Sequence, residues 1–161
     1  MELGIKGKIA IVTGAGKGIG KACALQLARE NAIVVISDIN DEDGEAACSE
    51  IKEMGNESLY LHCDVSQERE IKTLFRTVYE TYGRIDILIN NAGISPKLPF
   101  YEITEEQFSQ VLNINLKSNF MCSKEAFQYM KDNGWGRIVS LSSLAGLYGG
   151  INSAAHYSAS K

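Results

Sequence analysis

Lys8-Ile9-Ala10-Ile11-Val12-Thr13-Gly14-Ala15-Gly16-Lys17-Gly18-Ile19-Gly20 carries a short apolar run straight into four glycines. The run is too short for a helix and reads as a buried strand. Beyond it, Ile19, Cys23, Leu27 and Ala28 recur at helical spacing, predicting a helix over 18–31. The glycines between them let the backbone turn tightly and approach a ligand closely. A helix that starts there offers free N–H groups and the positive end of its dipole to an anion.

The same alternation continues outward. Ile33 to Ser37 is β-branched and strand-like. Asp41 to Met54 is a polar helix with a modest apolar stripe, closed by Gly55. Ser58 to Cys63 is a third strand. Ile71, Leu74, Phe75, Val78, Tyr79 and Tyr82 form a strong helical stripe that ends at Gly83. Ile85 to Ile89 is a fourth strand. Thr104 and Gln107 form a capping box for one long helix running to about Asp132. Arg137 to Leu141 is a fifth strand. Strands alternating with helices predict an α/β fold, a doubly wound parallel sheet with right-handed crossovers. Ligands in such folds sit beyond the carboxyl ends of the strands.

Composition narrows the class. The 161 residues suit one domain, and 45% hydrophobic content suffices for a core. A formal charge of −4 disfavours a nucleic-acid or anionic-membrane surface. No apolar run approaches the ~20 residues of a membrane span, and Met1 to Lys8 lacks the character of a secretory signal. Cys23, Cys48, Cys63 and Cys122 are widely spaced, which argues against zinc or dithiol chemistry and predicts buried free thiols in a cytoplasmic protein. No metal site is expected, and His62 reads as structural.

Asp38 ends the second strand, 18 residues beyond Gly20. That is close to the ~20 expected of an acid that binds an adenosine ribose. A carboxylate there accepts from the ribose hydroxyls and repels a 2′-phosphate, so NAD is favoured over NADP. Lys17 argues the other way, as a loop cation able to meet that phosphate. A strand-end aspartate capping a turn is the plainer reading of Asp38 taken alone.

The chain closes on Tyr157-Ser158-Ala159-Ser160-Lys161. Four residues is a little over one helical turn, so phenol and ammonium share a face. A phenol alone has a pKa of about 10. A cation at ~4 Å, with an effective dielectric near 20, stabilises a phenolate by at most about 4 kcal/mol. Such a pair suits proton transfer near neutral pH.

Taken together, the motifs resemble the short-chain dehydrogenase/reductase family. Thr13 to Gly20 follows Thr-Gly-x-x-x-Gly-x-Gly rather than Gly-x-Gly-x-x-Gly, with Gly16 an extra glycine. Asn90-Asn91-Ala92-Gly93, Asn113-Ile114-Asn115-Leu116, Ser142-Ser143-Leu144-Ala145-Gly146 and Tyr157-x-x-x-Lys161 follow in order. The resemblance covers about Lys8 to Lys161 and implies a Rossmann-type domain over 1–161, incomplete at its C-terminus.

It also implies roles. Tyr157 is the acid–base, Lys161 supports it and holds the nicotinamide ribose, and Ser143 binds the substrate oxygen, with Ser142 as the alternative. Asn115 breaks the helical bonding of the long helix. Gly14, Gly16, Lys17, Gly18, Ile19 and Gly20 surround the pyrophosphate. Asp64 and Val65 meet the adenine edge. Asn91, Ala92 and Gly93 lie against the cofactor ribose. His156 at most lines the pocket.

The segment from Gly149-Gly150 to Lys161 resembles 3-oxoacyl-carrier-protein reductases of fatty acid biosynthesis. The implied substrate is a small or acyl-carrier-bound carbonyl compound, and the implied assembly a homo-oligomer in which the long helix forms part of a face. An NAD-dependent sugar, polyol or gluconate-type dehydrogenase is the second reading. A third is a non-catalytic dinucleotide-binding or subunit-interaction module. Family members extend past this point, so a chain of this length is expected to bind dinucleotide weakly and turn over poorly.

Overall fold

In the computed structural model, which describes residues 3–149 and 154–161, five strands pair in parallel. They are Ile9–Thr13 (β1), Ile33–Asp38 (β2), Ser58–His62 (β3), Ile87–Asn90 (β4) and Arg137–Ser140 (β5). Their spatial order is β3-β2-β1-β4-β5. The chain runs outward from β1 to β3, then crosses back to the other side of β1. That reversal opens a crevice at the carboxyl ends of β1 and β4. Gly150 and its three successors, within the terminal segment quoted above, lie outside the described residues.

Alternate strand residues feed two cores. Ile9, Ile11, Val35 and Leu88 face the helices Glu68–Tyr82 (α3) and Ser118–Asn133 (α5), meeting Phe75, Val78, Cys122 and Ala126. Ala10, Val12, Val34 and Ile36 face Gly18–Arg29 (α1) and Asp41–Glu53 (α2), meeting Ala24, Ala28, Ala47 and Ile51. Residues i and i+1 of a strand thus serve opposite layers, which is why the strands read as continuous apolar runs.

The structure shifts several expected boundaries and faces. On α1 the buried residues are Gly20, Ala24 and Ala28. Of the expected stripe, Ala28 is buried and Cys23 and Leu27 pack partly buried against the core under α1, while Ile19 is exposed at the cleft and the small Gly20 and Ala24 lie against the sheet instead. The fourth strand runs Ile87–Asn90 rather than Ile85 to Ile89. The capping box of Thr104 and Gln107 is present, but the long helix after it is not continuous. It divides into Glu105–Leu112 (α4), a π turn over Asn113–Lys117, and α5. Two short helices follow, Ala145–Tyr148 (α6) and Ala155–Ser160 (α7). Strand β5 is an edge strand with all four residues exposed. All four cysteines are free, and Cys48, Cys63 and Cys122 are buried.

Candidate active site

A cleft of about 530 Å³ lies across the carboxyl ends of β1, β2 and β4. The turn after β1 forms its floor. Asn91 clips that turn to the end of β4, donating from Nδ2 to the carbonyls of Thr13 (3.0 Å) and Gly14 (2.8 Å). The Thr13 hydroxyl accepts from the backbone N–H of Asn91 (3.1 Å) and Ala92 (3.2 Å). Asn91 is therefore a brace for the loop as well as part of the cleft wall.

The glycines of the turn do different work. A Cβ on Gly20 would overlap the Gly14 carbonyl and the Asn91 amide. Gly18 stands at φ +58° with open space beside it, so its requirement is backbone conformation. Gly16 lies close under Asp38 and Asp43. Of the turn residues expected around a pyrophosphate, Gly14, Lys17 and Ile19 line the cleft; Gly16, Gly18 and Gly20 shape it from beneath.

The start of α1 faces the cleft, where Lys17 and Ile19 line it. No side chain caps it and its first turn holds no acid. By contrast, Asn40 caps α2, accepting from the Asp43 N–H at 2.9 Å, and Thr104 caps α4. A helix start without a side-chain acceptor, facing a cleft, suits an external anion.

Asp38 stands at the rim, with Oδ2 accepting from the Gly16 N–H (2.8 Å) and Oδ1 from the Asn40 N–H (3.0 Å). Each oxygen retains a lone pair for a ligand hydroxyl. Lys17 pairs with Asp43 at 3.4 Å, so the loop cation already faces an acid. Asp64 and Val65 line the far wall. Ile39, Asn40, Cys63, Ile94 and Ile114 also line it and were not singled out from the sequence. Ile19 and Ile39 had a legible signal, because each is apolar, next to a loop and, at 67% and 60% exposure, outside the core. Burial, with the acid Glu70 nearby, pushes the Cys63 thiol up to about 12.

The residues expected to carry chemistry lie behind Gly93 and Ile94, and none of Asn115, Ser143, Tyr157 and Lys161 is among the residues that line the cleft. Asn115, buried in the π turn, holds Ile94 at both backbone groups. Its Oδ1 accepts from the Ile94 N–H (2.8 Å) and its Nδ2 donates to the Ile94 carbonyl (2.9 Å). Nδ2 also donates to Ser160 Oγ at 2.9 Å, tying α7 to the cleft wall. Lys161 Nζ donates to the Leu141 carbonyl at 2.8 Å. A Cβ placed on Gly93 would lie 3.7 Å from that ammonium and 3.2 Å from Asn115 Oδ1, so a side chain there would crowd the asparagine.

Ser142 donates to the Lys161 carbonyl (2.9 Å), while Ser143 Oγ accepts from the Ala145 N–H (3.2 Å) and keeps its own proton to donate. Tyr157 is half-buried on α7, and its carbonyl accepts from the Lys161 N–H at 3.2 Å, placing the two one turn apart. His156 is wholly buried, does not line the cleft, and among the described residues neither ring nitrogen has a hydrogen-bond partner.

A parallel sheet reversing at β1 and a glycine turn under an uncapped helix start, with Lys161 close behind cleft-lining Gly93, belong to a doubly wound fold of the Rossmann kind. Comparison with known proteins gives the family: the short chain dehydrogenase model matches residues 8–161, and the chain belongs to that family. An oxidoreductase of Thermotoga maritima is 42% identical over 147 residues, covering 91% of this chain and 58% of the relative. A 3beta-hydroxysteroid dehydrogenase of Mediterraneibacter gnavus is 41% identical, covering 96% of this chain and 55% of the relative. The crystal structure of an NAD+-bound xylitol dehydrogenase superposes with a TM-score of 0.93 at 37% identity, covering 98% of this chain and 60% of that one. The chain thus spans little more than half the length of the relatives it matches.

Proposed function

We propose that this chain forms the cofactor-binding and proton-transfer part of an oxidoreductase that interconverts secondary alcohols and carbonyl compounds, with NAD favoured over NADP. The observation that carries this is Lys161 Nζ close behind Gly93, which lines the same cleft as the uncapped start of α1. The residues fit a nicotinamide dinucleotide. The glycine turn and helix start receive its pyrophosphate, Asp38 its adenosine ribose, and Gly93 with Lys161 its second ribose. When bound, that group supplies or takes up the hydride.

The protein supplies the rest. The Tyr157 hydroxyl gives its proton to the substrate oxygen in reduction and takes it back in oxidation. Lys161, one donor held by the Leu141 carbonyl, has two left for the ribose and for charge on the phenol. Ser143 donates to the substrate oxygen as charge develops there. Asn115 fixes Ile94 and α7 together, so wall and proton donor keep one geometry.

The terminal segment favours a 3-oxoacyl-carrier-protein reductase, within a homo-oligomer. Phe120 and Phe127, exposed on α5, are the side chains that assembly would cover. That subgroup mostly takes the phosphorylated cofactor. Asp38, together with the likeness to a xylitol dehydrogenase holding NAD+, favours a polyol-type dehydrogenase as the second reading. Turnover with a panel of 3-oxoacyl thioesters and polyols separates the two. Tyr157→Phe is expected to lower turnover at least about 100-fold while leaving the NADH dissociation constant within about threefold. A Phe variant that retained turnover would remove the acid–base assignment.

A further inference from the structure

We propose that Tyr60 and His62 are positioning residues for Asp38: both bind Asp41, fix the turn after β2, and thereby strengthen the preference for an unphosphorylated adenosine ribose. This rests on the reading of Asp38 as the ribose acceptor.

The two side chains leave the end of β3 on one side of the sheet, where Tyr60 pairs in register with Ile36 and His62 with Asp38. Tyr60 Oη donates to Asp41 Oδ1 at 2.6 Å and lies 3.2 Å from the Asp38 carbonyl. His62 Nδ1 lies 2.8 Å from the same Asp41 oxygen. One carboxylate oxygen therefore anchors two side chains of the next strand. The Asp38 carbonyl accepts from the Cys63 N–H at 3.1 Å, so the backbone of Asp38 is held by the residue that follows β3.

The ring of Tyr60 reaches this place because residue 44 of α2 is glycine. Any Cβ there would overlap the ring. On the other side of His62, Nε2 lies 3.9 Å from Glu70 Oε2, and that same oxygen accepts from the Asp64 N–H at 2.7 Å. Asp64 lines the cleft opposite Asp38. The contacts thus run from one acid of the rim to the other, behind the wall of the cleft. The hydrogen bond from Tyr60, then that from His62, holds the Asp41 carboxyl below the usual aspartate range.

A flexible turn would let Asp38 swing away from a 2′-phosphate. A turn clamped from β3 holds the acid in place, so the phosphate meets a fixed negative charge. Discrimination, rather than affinity for dinucleotides in general, is what the clamp should control.

The test is fluorescence titration of the chain with NADH and with NADPH, alongside melting temperature. Tyr60→Phe keeps the ring against Gly44 and deletes both hydroxyl contacts. It should lower the preference for NADH over NADPH about tenfold, by weakening NADH and tightening NADPH as the repulsion is relieved. His62 is half-exposed, so His62→Ala should fold and shift the ratio the same way, while His62→Gln, which can still donate to Asp41, should restore it. Adding Tyr60→Phe to Asp38→Ala should not lower discrimination further. If Asp38→Ala collapses the ratio but Tyr60→Phe and His62→Ala leave it intact, the clamp is wrong and the ribose reading stands. If Asp38→Ala leaves the ratio unchanged, or if neither nucleotide binds the chain, the ribose reading fails and the clamp with it. Equal weakening of both nucleotides with a lowered melting temperature would reduce the cluster to a structural role.

Discussion

Gly20 illustrates how much a single residue decides. A methyl group there would meet the Gly14 carbonyl and the Asn91 amide, both backbone-anchored and unable to step aside. Gly20→Ala should therefore cost about 1–3 kcal/mol in urea unfolding, typical of overpacking, and weaken NADH binding as the turn shifts. Gly18→Ala is limited by its positive φ instead, since nothing crowds its Cβ. The thiols offer a second measurement at this scale. Burial pushes Cys63 and Cys122 up to about 12, so at pH 8 very little thiolate exists at either. Ellman's reagent should modify partly exposed Cys23 in the native chain and reach Cys63 and Cys122 only on unfolding; early labelling of either would show the core opening. The positions of Asp38 at a strand end and of Tyr157 and Lys161 one turn apart were legible in the sequence, because their signal is local spacing. Ile94 and Ile114 were not, because nothing local distinguishes a cleft-lining isoleucine from a core one.

At the scale of elements, the informative departure is the π turn between α4 and α5. Apolar spacing from Thr104 onward carries no mark of it, because a one-residue change in hydrogen-bond register leaves the surrounding periodicity almost intact. Asn115 itself was the only hint, a helix-interior asparagine that competes for backbone partners. In the fold that competition is used. Its amide satisfies both backbone groups of Ile94 and reaches Ser160, three bonds from one side chain. Asn115→Ala would leave the Ile94 N–H and carbonyl without those partners, each buried loss costing about 1–3 kcal/mol. We expect a destabilisation of at least about 2 kcal/mol by urea titration, with α7 loosened from the wall. A change below about 0.5 kcal/mol would mean that the π turn holds its shape without the amide. The capping box at Thr104 and Gln107 was read correctly in advance because its signature is two residues at a fixed offset. The face of α1 was legible at Ala28 but not at Gly20 and Ala24, which carry little hydrophobic signal, yet pack against the sheet because they are small.

For the whole molecule, strand–helix alternation made the parallel doubly wound sheet legible, but not where its strands would be fastened together. That fastening lies at the end opposite the cleft and centres on Asp86, a fully buried carboxylate. Oδ2 accepts from the Ile9 N–H (2.9 Å) and from Arg84 Nε (2.8 Å), and Oδ1 from Arg84 Nη2 (2.6 Å). Lys8 approaches to 3.6 Å. The backbone of Asp86 reaches both neighbours too, donating to the Ile9 carbonyl (3.0 Å) and accepting from the Arg137 N–H (2.9 Å). One residue thus joins β1, β4 and β5 at their starts, and Lys8 and Arg137 both lie over the Trp135 ring beside it. The geometry of the cleft depends on this distant anchor, because β1 and β4 must leave it in register for Thr13 and Asn91 to meet at the far end. Asp86→Ala strands a buried N–H and two cations at once. Removing one partner of a buried, hydrogen-bonded charge costs about 3–5 kcal/mol, and that loss is expected here in urea unfolding. Asp86→Asn, which still accepts from Ile9 but loses the charge, should fall between the two. If Asp86→Ala unfolded within about 1 kcal/mol of the parent, registration of β1 with β4 would have to come from the two apolar cores alone, and the cleft would owe nothing to its opposite end.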